Sequence, residues 1–177
     1  MRYAGIIYDD TAAAPGLCVS FYTQGCPIHC PGCHNPETWS FEGGHEFTAQ
    51  TMDRILDGIK RNGITRSLAI LGGEPLAPNN LFLTAMVVQT VRERYPNIQI
   101  WIWSGYEMDE ILSSTSPHLR LILSKINALV AGPYKQDLRD ITLAYKGSSN
   151  QKVFMFDHEK NICYNKENES EEYKLHV

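Results

Sequence analysis

Three of the chain's five cysteines, Cys26, Cys30 and Cys33, fall within eight residues of the stretch YTQGCPIHCPGCHNPETW (22–39). Thiolates at such spacing bind soft metals, either one zinc or the irons of an iron–sulfur cluster. A structural zinc takes four protein ligands, and His29 or His34 would complete a Cys3His set. Zinc ligands usually arrive as two pairs separated by a long spacer, whereas here all three thiols share one loop. A 4Fe-4S cube held by three cysteines leaves one iron open to a small molecule. An open coordination position marks reactivity, where a filled shell marks structure or electron transfer. A disulfide plus a spare thiol is the remaining possibility. The pattern ranks a cluster above zinc, and zinc above no metal.

Further along, SLAILGGEP (67–75) reads as a buried strand ending in a glycine turn. Gly72 and Gly73 let a backbone approach a ligand closely, and Pro75 fixes the turn. Glu74 offers a carboxylate that can accept from an ammonium. Such a turn alone is weak evidence for a site; placed after a strand and a cysteine triplet it is strong.

The Cys-x3-Cys-x2-Cys spacing of CPIHCPGC, followed by GGEP, resembles the radical S-adenosylmethionine (SAM) enzymes. That resemblance implies a 4Fe-4S cluster on Cys26, Cys30 and Cys33, with SAM chelating the open iron through its amino and carboxylate groups. It places Gly72, Gly73 and Glu74 beside the SAM amino group. The reduced cluster would pass one electron to the sulfonium, giving methionine and a 5′-deoxyadenosyl radical. Cofactor and SAM then carry the hard chemistry, and no catalytic side chain is expected beyond them. FEGGHEF, WSGY, ALVAGPYKQDLRD and YKGSSNQKV bring the chain closer to the branch that activates anaerobic ribonucleoside-triphosphate reductases, over residues 15–155. The implied partner is the large subunit of that reductase, on which a glycyl radical forms. The implied electron donor is a low-potential protein such as flavodoxin.

Two positions depart from the wider pattern. Gly32 precedes the last cysteine where most radical-SAM enzymes carry an aromatic residue, which fits the reductase-activating branch. It leaves adenine to the backbone of Gly32, Cys33 and His34. Ala131 stands in VAGPY where that branch is expected to carry Asp, so the carboxylate's role must be supplied otherwise or be dispensable. Ser104, closing the strand before WSGY, could reach the methionyl end of SAM. Two rival readings are a radical-SAM enzyme acting on a small molecule, such as a 7-carboxy-7-deazaguanine synthase, and a non-catalytic Cys3His zinc-binding interaction module.

The elements that must position these groups follow from periodicity. GLCVSFYTQG (16–25) reads as a strand feeding a loop too rich in Pro and Gly to be regular. Met52, Ile55, Leu56 and Ile59 form one helical face, with Thr48 as N-cap and Gly63 as C′ residue. NNLFLTAMVVQTVRERYP (79–96) is a second helix, with an Asn cap. IQIWIWSGY (98–106) is a strand apolar on both faces. SPHLRLILSKI (116–126) reads as helix, NALVAGPY as strand and turn, and QKVFMF as a late strand. The order predicts βαβ units in one α/β domain over residues 1–177. Its mostly parallel strands would form an incomplete, open radical-SAM β/α barrel. A full eight-strand barrel takes about 250 residues, and a lateral opening suits a macromolecular substrate. In such folds ligands gather at the C-terminal ends of the strands, where the cysteine loop, GGEP and WSGY all fall.

The remaining signals are bland. Cys18 and Cys163 read as buried packing, His29 as a solvated loop residue, and Trp101 and Trp103 as core and rim. Asn150 is either a polar site group or a turn former, and the charged tail of about 165–177 is a solvated helix or frayed end without chemistry. The 177 residues carry a net charge of −4, with 43% hydrophobic and 20% charged residues. That balance gives no reason to expect nucleic-acid binding through bulk charge. No apolar run is long enough to span a membrane. The N-terminus does not read as a signal peptide. The expected setting is the cytoplasm, where thiols stay reduced.

Overall fold

The computed structural model describes residues 1–175. In chain order these form β1 (Arg2–Asp10), β2 (Cys18–Thr23), β3 (His45–Glu46), α1 (Ala49–Ile59), β4 (Lys60–Arg61), β5 (Ile64–Thr65), β6 (Ser67–Gly72) and α2 (Leu81–Arg94). There follow β7 (Ile100–Ser104), α3 (Met108–Ser113), α4 (Pro117–Leu123), β8 (Ala128–Ala131), β9 (Lys152–Asp157), β10 (Ile162–Asn165) and β11 (Asn168–Lys174). Nine strands make one sheet in the order β11-β10-β9-β8-β7-β6-β2-β1-β3, and β4 and β5 pair separately.

Only the centre of the sheet is parallel. The pairings β2–β6, β6–β7 and β7–β8 are parallel, each bridged by helix as βαβ units require. The pairings of β1 with β2 and β3, and of β9 with β8 and β10, and β10 with β11, are antiparallel. The expectation of mostly parallel strands therefore holds for the middle four and fails on both flanks. There the β1–β2, β9–β10 and β10–β11 connections are too short for a crossover, and the longer β8–β9 connection holds no α-helix to make one.

Alternation along the strands sorts the core into two sides. Val19, Phe21, Leu68, Ile70, Ile100, Ile102, Leu129 and Phe154 pack with buried residues of α1 to α4. Cys18, Ala69, Trp101, Ala128, Val130 and Val153 face the other way, with Ala13 and Ala14 of the segment after β1 laid over them. The two-faced apolar strands seen in the sequence are thus covered by helices on one face. On the other they are covered by chain segments that leave a cavity.

Two local readings are corrected. Thr48 does cap α1, its hydroxyl taking the Thr51 amide in a capping box, but the helix ends at Ile59 and Gly63 is not its terminator. Asn62 and Gly63, with φ of 54° and 73°, turn the β4–β5 hairpin, the Asn-Gly signature of a tight two-residue turn. Arg66, 3% exposed, fastens that hairpin. Its guanidinium donates to the carbonyls of Arg61 and Ile64 at 3.0 and 2.9 Å and pairs with Asp9. Second, the charged tail is neither helix nor frayed over its described part: it is the β10–β11 hairpin, with Cys163 and Leu175 fully buried. Positions 176 and 177 of that tail lie outside the described residues. The N-terminal residues, to which no element is assigned from the sequence, are a long strand, β1. Among the described residues, no helix is long and apolar enough to cross a membrane.

Ile102 sits at the middle of the parallel strands and is fully buried. Ile102→Ala should cost about 2–5 kcal/mol in urea unfolding. A loss below about 1 kcal/mol would mean that the helix side of the core closes over the missing atoms.

Candidate active site

The C-terminal ends of β2, β6, β7 and β8 lie side by side, as the register Thr23–Gly72 and Ser104–Ala131 shows. The segments leaving those ends enclose a cavity of about 430 Å³, a size that suits a small ligand or cofactor. Cys26, Cys30, Cys33 and His34 line one part of it, Gly72, Gly73 and Glu74 another, and Ser104 and Gly105 a third.

The cysteine loop is irregular but pinned at both ends. The Gly25 and Cys26 amides donate to the carbonyls of Thr38 and Trp39 at 2.8 and 3.0 Å. The Gln24 amide nitrogen reaches the carbonyls of Glu37 and Ser40. Within the loop the Cys33 amide donates to the Cys30 carbonyl, and the Asn35 amide to the Cys33 Sγ at 3.4 Å. All three thiols are free and half-buried. Burial pushes the Cys26 and Cys30 thiols above their ordinary value, and the nearby Glu74 carboxyl adds to the rise. Both are protonated at neutral pH in the free protein, so loading a metal there releases protons. Among the described residues no three His, Cys, Asp or Glu side chains gather within reach of one ion. Three free thiols lining one cavity suit a 4Fe-4S cube, in which each thiolate takes one iron. The donor set therefore fits an iron–sulfur cluster.

The glycine turn is locked onto this loop by its backbone. The Gly73 amide donates to the Thr23 carbonyl and the Glu74 amide to the Gly25 carbonyl, both at 2.9 Å. A Cβ on Gly73 would stand 2.5 Å from the Gly25 oxygen, so only glycine permits the approach. Asn80, just before α2, was expected to cap that helix and does not. Its buried amide nitrogen donates to the carbonyls of Gly25 and Glu74 at 3.0 and 2.9 Å instead. It ties the two motifs together, a role that a lone Asn ahead of a helix does not announce.

Glu74 is 1% exposed. Its carboxylate accepts from the Leu76 amide (2.9 Å), the Ser104 hydroxyl (2.9 Å) and the Gly105 amide (2.7 Å). Burial outweighs these three bonds and pushes its pKa up to about 7. Ser104 lines the cavity, but its hydroxyl hydrogen is committed to Glu74 while its oxygen accepts from the Tyr106 amide. It orients the carboxylate.

The other residues meet the expectation in part. Gly32 does not line the cavity; its φ is 71°, and the Gln136 side chain packs where any side chain at 32 would go. Its small size is explained by backbone conformation and packing. His34 lines the mouth with its ring 4.8 Å from that of Tyr134. His29 is exposed and stacks on Trp39 at 4.7 Å. Ala131 belongs to the helix-side core, so its missing carboxylate takes nothing from the cavity wall. Asn150 donates to the Pro133 carbonyl at 2.8 Å and shapes a turn. Cys18 and Cys163 are buried packing, and burial pushes the Cys163 thiol up to about 12. Trp101 is core; Trp103 lines the cavity, as do Tyr22, Leu71, Tyr145 and Lys146, which spacing alone did not single out.

Comparison with known proteins places this geometry. Residues 12–154 match a family described as a 4Fe-4S single cluster domain. The anaerobic ribonucleoside-triphosphate reductase-activating protein of Escherichia coli (strain K12) is 36% identical over 154 residues, covering 86% of this chain and 97% of that protein. The protein of the same name from Vibrio cholerae is 34% identical over 157 residues, 88% of this chain and 99% of its own length. That of Enterobacteria phage T4 is 30% identical over 154 residues, 87% and 94% of the two chains.

The Glu74 carboxyl makes stability depend on pH with a definite sign. Its ordinary value is 4.5 and its folded value about 7, so folding favours the protonated form. Its contribution is full below pH 4.5 and is lost as pH rises through 7, a swing on the order of 3 kcal/mol. In the metal-free protein, the difference in urea stability between wild type and Glu74→Gln should change across that window. A difference that stays flat from pH 4.5 to 7 would show that the carboxyl is not held as described.

Proposed function

The chain belongs to the 4Fe-4S single cluster family, among the anaerobic ribonucleoside-triphosphate reductase-activating proteins, and from that membership we propose that it is a radical-SAM activase. It cleaves SAM reductively and forms a glycyl radical on the large subunit of an anaerobic ribonucleoside-triphosphate reductase. The observation that carries the reading is convergence: three free thiols, a close-approach glycine turn and a buried carboxylate share one cavity. The central parallel strands with their antiparallel flanks are read as the open barrel of that superfamily, working in a reduced, cytoplasmic setting with a flavodoxin-type donor.

Cys26, Cys30 and Cys33 would hold three irons of the cluster. When bound, the cluster would supply the electron for reductive cleavage of SAM. The chain's own residues bind and orient. Glu74, held by Ser104 and Gly105, accepts from the methionyl ammonium, and the arriving cation draws its pKa down again. The Gly72–Gly73 backbone keeps the cavity floor free of side chains. Tyr22, Leu71 and Trp103 line the wall with apolar surface that keeps water from a reactive radical.

Two measurements test this. Single Cys26→Ala, Cys30→Ala and Cys33→Ala variants, reconstituted anaerobically, should lose SAM cleavage by at least about 100-fold, while Cys18→Ala keeps it. Intact cleavage in Cys30→Ala would remove the ligand assignment, and zinc without iron or sulfide in the purified protein would remove the whole reading. The second mixes the reduced protein, SAM and the large reductase subunit. A glycyl radical signal by electron paramagnetic resonance is expected. SAM cleavage without that signal would turn the reading to a small-molecule radical-SAM enzyme such as a 7-carboxy-7-deazaguanine synthase.

A further inference from the structure

The β10–β11 hairpin lies past residue 154, where the match to the family ends. Its turn nonetheless reaches the cavity wall. Glu167 pairs with the Lys146 ammonium; the Lys146 side chain is 3% exposed and that of Glu167 58%. Lys146 is the one lysine or arginine among the described residues lining the cavity. Next to it, the Lys166 ammonium sits 5.4 Å from the centre of the Tyr145 ring, within cation–π range. The turn is itself anchored: the Lys166 amide donates to the Val153 carbonyl at 2.8 Å, and the Glu167 amide to the Asn165 side chain at 3.0 Å.

What the turn grips is a strained stretch. Tyr145 has φ of 66°, a left-handed conformation that a bulky residue keeps only when its surroundings impose it. From the cavity side its carbonyl accepts from the Trp103 indole at 2.8 Å, and its ring packs 4.9 Å from that of Trp101. From outside, Lys166 and Glu167 close the grip on Tyr145 and its neighbour. Beyond it, the amides of Gly147 and Ser148 turn back onto the Gln151 side chain, and Gln151 lines the cavity too.

We propose that Lys166 and Glu167 are positioning residues: the C-terminal hairpin clamps the Tyr145–Gln151 wall and so sets how tightly the cavity holds its ligand. The ligand being SAM rests on the function proposed above; the clamp itself does not.

The test uses the full-length protein. In Lys166→Ala/Glu167→Gln, and in Glu167→Gln alone should the double variant fold poorly, hydrogen exchange read by mass spectrometry over residues 145–151 should quicken roughly fivefold, the effect of losing a partly buried ion pair. Lys160→Ala, which breaks an exposed ion pair with Asp157 at the other end of the hairpin, should leave that segment unchanged. In the reconstituted protein the same variants should raise KM for SAM roughly fivefold with kcat within about twofold, the split expected when uniform binding is lost. Unchanged exchange, equal quickening in Lys160→Ala, or faster exchange with KM unmoved would overturn the proposal. A wild type that binds cluster but never cleaves SAM would instead overturn the function proposed above, and the exchange result would still decide the clamp.

Discussion

The arrangement depends on one backbone contact. Gly73 and Glu74 hydrogen-bond to the carbonyls of Thr23 and Gly25, so the turn after β6 rests directly on the start of the cysteine loop. The approach is too close for any Cβ at position 73. It transfers the order of two parallel strands to a loop that has no regular structure of its own. Asn80 doubles the link by donating to both segments from a buried position. Without that contact, three thiols on a loop rich in Pro and Gly would have no fixed relation to the carboxylate they share a cavity with.

The sheet makes room for this by treating its two faces unequally. On the helix side, large aliphatic residues such as Ile70, Ile102 and Leu129 fill the layer between sheet and helices. On the other side the positions one residue along are Ala69, Trp101 and Ala128. Farther along the same face, at the strand ends, Tyr22, Leu71 and Trp103 line the cavity. Among the described residues no α-helix packs there; the segment around Ala13 and Ala14 and the stretch from Tyr134 to Gln151 close the space. Covering by irregular chain suits a site, because such segments can present polar and strained groups that a helix face cannot.

How much of this was legible follows from the range of each signal. The triplet, the glycine turn and the βαβ order are local, and all three were readable. Asn62–Gly63 is equally local, but the apolar period of α1 runs close up to it, and Arg66, whose guanidinium holds the Arg61 and Ile64 carbonyls, lies outside the window. Asn80 illustrates the harder case. Its type suits a helix cap, and only the folded position of Gly25, far away in sequence, shows that its side chain has another use. Gly32 stands out in the sequence as a glycine where an aromatic is usual, and its positive φ and the packing of Gln136, a contact across more than half the chain, show only in the fold. The tail was misread because a hairpin of alternating charged residues carries little hydrophobic signal; Cys163 and Leu175 are its few buried anchors.

Glu74 shows what the structure adds to a motif. A buried carboxylate is ordinarily kept ionised by a nearby cation; here three neutral donors stand in, and they do not fully offset the loss of water. The group therefore rests near its point of half-ionisation at neutral pH, fixed in place by Ser104, Gly105 and Leu76. A ligand bringing a positive charge restores the missing partner and gains a preoriented acceptor, whereas a neutral or anionic ligand gains nothing from ionising it. On the function proposed above, discrimination for a cationic group would be built from burial and geometry together, and loosening either would weaken it. More exposure would let water stabilise the carboxylate before the ligand arrives. Fewer donors would leave it protonated and turned to no particular partner.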